Sequence, residues 1–261
     1  MGHERGNTLP KSKCWRDLVQ QIASSAPSEE SISRIAQTTL RNVRSRFTRM
    51  SHDPGVAAAF SFLVTLATSN ARPDPARVLS EAGIVPPEEP TPVGLLRALK
   101  QWAARSAGSP EYGEIADRAA GDAMARWYAA HRATDALLEF AREPYESWRR
   151  TATGSGFCRL ARLFFAALTE RYLNYFLERE ASAALPTLHG RDAFKAALHE
   201  HLEDVSNHAF ETARITESFA AGWFVKHTEA GTPSPAEVHG FLSLAFGKMQ
   251  EELLLEEGSS A

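Results

Sequence analysis

The sequence has only two cysteines in 261 residues, Cys14 and Cys158. Two thiols this far apart make neither a disulfide framework nor a cysteine-rich zinc site, so a reducing compartment is the default. A membrane-spanning run is also missing. The most apolar stretch, FCRLARLFFAALTERYLNYFL from Phe157 to Leu177, carries Arg159, Arg162, Glu170 and Arg171. A spanning helix needs roughly 20 mostly apolar residues, and each central charge costs about 2.5 to 3.5 kcal/mol. The first residues, MGHERGNTLPKSKCWRDLVQQ, contain no apolar run with a small-residue cleavage site after it. Gly6 stands where a myristoylation signal would have Ser or Thr. The expectation is a cytoplasmic protein without a membrane partner.

Phosphate-binding loops and hydrolase elbows are absent too. In TGSGF, Thr153 takes the place of the first glycine of a Gly-x-Ser-x-Gly elbow, and no lysine follows to make a P-loop. Arg159 occupies the third glycine position of a dinucleotide fingerprint. No stretch alternates as a strand should, and no period of solenoid type repeats. These gaps remove the common hydrolase, NTPase and dehydrogenase readings, and no cofactor is implied.

What the chain has is helix punctuation. Asp53-Pro54, Asp74-Pro75, Thr91-Pro92, Ser109-Pro110 and Ser234-Pro235 each put a capping side chain before a proline. Proline is favoured at the first helical position, where its missing N–H would have no partner anyway. Ser234 also has Glu237 three residues on, a capping box. Apolar periodicity between these marks predicts an all-α chain of about nine helices in one multi-helix domain, divisible into two subdomains. After a flexible segment 1–14, an N-terminal helical subdomain covers 15–83, with a short first helix at Trp15 to Ile22. A longer helix from Ser28 ends before Asp53, and others run at 54–68 and 75–82. The proline-rich 84–91, within IVPPEEPTP, reads as a linker, because closely spaced prolines oppose helix. The C-terminal subdomain covers 92–257, with helices near 92–106, 110–131, 133–142, 157–184, 191–229 and 235–257, followed by a tail at 258–261. TATGSG, before the 157–184 helix, reads as a flexible turn.

The 157–184 helix is apolar nearly all round, which predicts a central helix wrapped by others. Its far end keeps large side chains, Tyr172, Tyr175, Phe176 and Arg179, with Glu170, Arg171 and Glu178 as a charged rim. Tyr, Phe and Arg are enriched at interfaces, so this end is the candidate contact surface for a protein partner or a second copy.

Three further groups are chemical candidates. His201, Asp204 and His208 fall at i, i+3 and i+7 of the predicted 191–229 helix, one stripe of potential metal ligands beside its apolar face. Arg34, Arg41 and Arg44 form a basic outer face on the second helix, which could meet the phosphates of a nucleic acid or an acidic partner. RWYAAH separates Arg126 from His131 by four residues, a spacing that resembles the arginine–histidine motif of HEPN-type helical ribonucleases. That resemblance implies histidine as acid or base and arginine as stabiliser of the charged phosphorus centre, with two pairs meeting across a dimer. The residue after the arginine is Trp127, where the family usually has Asn or Asp.

Charge is uneven: residues 1–50 hold nine Lys or Arg against four Asp or Glu, within a net −3. Arginine supplies 23 of the 29 basic residues, a bias that fits GC-rich bacterial coding. The expectation is a non-enzymatic interaction, adaptor or accessory protein of a bacterial system. A helical ribonuclease of toxin or antiviral-defence kind is the first alternative, and a helical metal protein the second.

Overall fold

The computed structural model describes residues 48–106, 108–135, 144–184 and 216–259. Every described element is helical. After helical residues at 48–51 come α1 (Pro54–Ser69), α2 (Pro75–Glu81), α3 (Pro92–Ala103) and α4 (Pro110–Asp135). A 3-10 helix (Glu146–Ala152) then leads into α5 (Gly154–Ala184), α6 (Thr216–Thr228) and α7 (Pro235–Ser259). No strand occurs among the described residues. None of their helices is long and apolar enough to cross a membrane. The predicted helices before residue 48 and most of 191–229 lie outside the described residues.

All five Ser/Thr/Asp-Pro pairs start helices. Thr91 Oγ1 accepts the Gly94 N–H at 3.2 Å, and Asp74 Oδ1 accepts that of Arg77 at 3.0 Å. Ser234 and Glu237 form the reciprocal box, with the Ser234 N–H donating to Glu237 Oε2 at 2.7 Å and the Glu237 N–H to Ser234 Oγ at 3.4 Å. Ser109 Oγ accepts from the Tyr112 N–H at 3.5 Å. Asp53 has a double role. Its Oδ1 accepts the Gly55 N–H at 2.8 Å and the Val56 N–H at 3.2 Å, capping α1, while its Oδ2 accepts the Ser109 N–H at 3.0 Å. One buried carboxylate therefore locks the starts of α1 and α4 together. Gly55 is required at this junction, because a Cβ there would come within 2.7 Å of the Gly113 Cα.

Several helix limits differ from expectation: α3 ends at Ala103 and not at 106, α7 continues to Ser259, and the limits of α4 and α5 differ for local reasons. The predicted break between 131 and 133 does not exist, since α4 runs unbroken to Asp135. Nothing in RWYAAHRATD breaks a helix, and His131 stabilises the turn by bonding back to the Trp127 carbonyl. The 157–184 helix begins three residues earlier, at Gly154, because Thr153 caps it, its Oγ1 accepting the Gly156 N–H at 3.0 Å. TATGSG is accordingly a packed junction between two helices and not a flexible turn: Thr151 is fully buried, and a Cβ on Gly156 would sit 1.8 Å from the Arg150 carbonyl oxygen.

The wrapped character of α5 is observed. Phe157, Leu160, Phe164, Phe165, Ala167, Leu168 and Tyr172 are all buried, and α1, α4, α6 and the 3-10 helix pack around it. A second helix, α1, is as deeply enclosed, as its composition PGVAAAFSFLVTLATS requires. The two meet at Phe60, whose ring lies 5.4 Å from Phe164, 6.1 Å from Phe157 and 5.2 Å from Phe241 of α7. Trp223 and Phe224 of α6 close the cluster on Phe157.

The proline-rich segment does not separate two cores. Side chains from Met50 to Ile84 and from Leu95 to Phe246 belong to one hydrophobic cluster. Ile84 and Pro90 at the ends of the segment are themselves buried.

Candidate functional site

Arg126 and His131 both lie on α4, but five helical steps rotate them about 140° apart around its axis. Arg126 leans onto α5 and donates to Glu170 Oε2 at 3.2 Å. His131 is only 8 % exposed; its Nδ1 is 2.7 Å from the Trp127 carbonyl oxygen, and its ring stacks on the Trp127 indole with centroids 4.0 Å apart. The indole N–H in turn donates to the Ser147 carbonyl. Within one chain, therefore, the arginine and the histidine are not brought together: one serves an interhelical ion pair and the other a packed aromatic stack.

The α4–α5 seam is lined by charge at this level. Arg171 grips Asp122 with two parallel bonds, Nε to Oδ2 at 2.5 Å and Nη2 to Oδ1 at 2.8 Å. This fork geometry is the strong form of an ion pair and fixes the rotation of α5 against α4. Tyr172, expected at the contact surface, is instead a core residue, 1 % exposed, its ring 6.3 Å from that of Tyr112. Tyr175, one turn later and four residues past Arg171, reaches the surface at 37 % exposure. The backbone of α5 continues to Ala184. The side chains of Phe176 and Arg179 lie outside those described, as do Arg34, Arg41 and Arg44 and the stripe His201, Asp204 and His208.

Two carboxylates outside the sequence-predicted chemical sites, Asp117 and the capping-box Glu237, have perturbed acidity. Burial pushes the Asp117 carboxyl up to about 6, the Glu114 charge adding to the rise and Lys100 opposing it. Its Oδ1 is enclosed without a hydrogen-bond partner. The only local signal was an acid at i+3 from Glu114 on a face flanked by Ile115 and Ala116, which does not reveal burial. Glu237 moves the other way, down to about 2, chiefly through the Ser234 N–H and then the His227 and Ser234 side chains. His227 Nδ1 lies 2.9 Å from Glu237 Oε1, and Ser234 Oγ 2.7 Å from Oε2. Serine, glutamate and histidine thus meet, but in an order unsuited to nucleophilic catalysis. The carboxylate stands between hydroxyl and imidazole, whereas activation needs the imidazole in contact with the hydroxyl. The trio is a cap and a tie between α6 and α7.

Among the described residues, no cluster of three or more His, Cys, Asp or Glu could hold a metal. Among the described residues, one surface with interface chemistry is the end of the α4–α5 seam: a half-exposed tyrosine one turn beyond the Arg171 that pairs with Asp122. No family model, curated protein or solved structure matches the chain.

Proposed function

We propose that this chain is a non-enzymatic helical interaction protein, an adaptor or accessory subunit of a bacterial multiprotein system in the cytoplasm. The observation that carries the reading is the change of environment between Tyr172 and Tyr175. The first is enclosed and the second is 37 % exposed, one turn beyond Arg171, whose guanidinium pairs with Asp122. A large aromatic bordered by charge has the composition of an interface hot spot and its rim. Phe176 and Arg179 follow it in sequence and extend the same chemistry. A second copy of the chain or a protein of another kind would both suit such a surface.

The test is light scattering on the full chain and on a Tyr175→Ala, Arg179→Glu variant. Wild-type protein should show a concentration-dependent mass above the monomer, and the variant should be monomeric with unchanged helicity. Ribonuclease activity that both Arg126→Ala and His131→Ala abolish would overturn the reading in favour of catalysis, and a wild type that stays strictly monomeric and captures no partner would remove its main support.

A further inference from the structure

His52 and His239 come from segments 187 positions apart, yet His52 Nδ1 and His239 Nε2 lie 3.2 Å from each other, with ring centroids 5.1 Å apart. His52 follows the helical residues 48–51, and His239 stands in the second turn of α7. His52 is exposed and His239 half-buried. We propose that this pair is a binding site for a borderline divalent transition cation, zinc, nickel or copper(II), with solvent in the remaining coordination positions.

The spacing is that of two ligands on one ion. Two nitrogens each about 2.0 to 2.1 Å from a metal lie about 3.3 to 3.4 Å apart at a tetrahedral angle and about 2.8 to 3.0 Å apart at a right angle. The observed 3.2 Å falls between these limits. Imidazole nitrogen suits zinc, copper and nickel, whereas calcium and magnesium demand oxygen donors.

The pair is also held in place by its neighbours. Met50, Ser51 and Asp53 are buried around His52, and Val238, Phe241 and Leu242 are buried around His239. Each ring therefore projects from backbone anchored in the core, which lowers the ordering cost of chelation. Asp53 is not a further ligand, because both its oxygens already accept backbone N–H groups. Among the described residues no third His, Cys, Asp or Glu completes a cluster with the pair. Two protein donors with solvent make a modest site, one that ties the segment before α1 to α7.

The test is thermal unfolding of full-length protein, stripped of metal by chelator, with and without zinc chloride or nickel chloride, beside His52→Ala, His239→Ala and His201→Ala variants. A ligand that binds only the folded state raises the melting temperature. The inference expects a rise with either metal in wild type and in His201→Ala, loss of the rise in both His52→Ala and His239→Ala, and no rise with calcium chloride. Absence of any rise in wild type overturns it. So does a rise that survives His52→Ala, or one that His201→Ala abolishes, since the metal would then sit elsewhere.

Discussion

The indole N–H of Trp148 donates to the carbonyl oxygen of Pro90 at 2.7 Å, joining residues 58 positions apart, both of them buried. The 3-10 helix is thereby fastened to the proline-rich segment, which is why IVPPEEPTP behaves as part of the core wall. Trp148→Phe keeps most of the ring packing but leaves the Pro90 carbonyl without its donor, an unpaired buried group costing about 1 to 3 kcal/mol. The variant should melt lower, and limited proteolysis should cut near Glu88–Glu89 sooner than in wild type. Equal cleavage rates in the two proteins would show that the bond does not hold the segment.

Phe164 is fully buried against Phe60 and Phe165, with ring centroids 5.4 Å apart in both contacts. Phe164→Ala should lose about 3 to 5 kcal/mol of unfolding free energy in urea titration, the usual cost of emptying an aromatic site in a close-packed core. An unchanged midpoint would mean that α5 does not pack against α1 as described.

Gly156 and Gly222 are both helical glycines, and alanine should act on them with opposite sign. At Gly156 the new methyl would lie 1.8 Å from the Arg150 carbonyl oxygen, a backbone atom that cannot move without opening the junction. At Gly222 nothing lies within 4 Å, so Gly222→Ala should gain up to about 1 kcal/mol through helix propensity. Calorimetry should find the first variant melting below wild type and the second above it.

The tie between α6 and α7 should carry an acid-side signature. Glu237 has a folded-state pKa lowered to about 2, below its ordinary value of 4.5. A depressed carboxyl contributes stability that is fully present above the unfolded pKa and is lost as pH falls through the folded one. Wild type should therefore melt above Glu237→Gln at pH 6, and the gap should narrow from about pH 4.5 towards pH 2. A gap constant across that range would separate the stabilisation from ionisation of Glu237.

The five proline-led helix starts were legible in the sequence because a cap is a local device. Asp53, Asp74, Thr91, Ser109 and Ser234 reach N–H groups two or three residues away, and the proline that follows sets the first turn whatever the rest of the chain does. The central place of α5 was legible for a related reason, since a helix apolar on every side has to be covered on every side.

Local signals do not say which neighbour provides the cover. Tyr172 and Tyr175 are alike in type and three residues apart; only the packing of α4 against α5, held by Arg171 on Asp122, encloses one and exposes the other. The same limit applies to Arg126 and His131, whose spacing carries no information about Glu170 or the Trp127 stack. Composition likewise made 84–91 and TATGSG look loose, because proline and glycine oppose regular structure wherever they stand. Whether such a segment is free depends on distant partners: Trp148 for Pro90, and the Arg150 carbonyl beside Gly156. The sequence by itself determined where the five proline-led helices begin and that the helix containing 157–184 must be buried. Tertiary structure alone decided which side chains reach the surface and that His52 meets His239, because those facts depend on contacts between residues far apart in the chain.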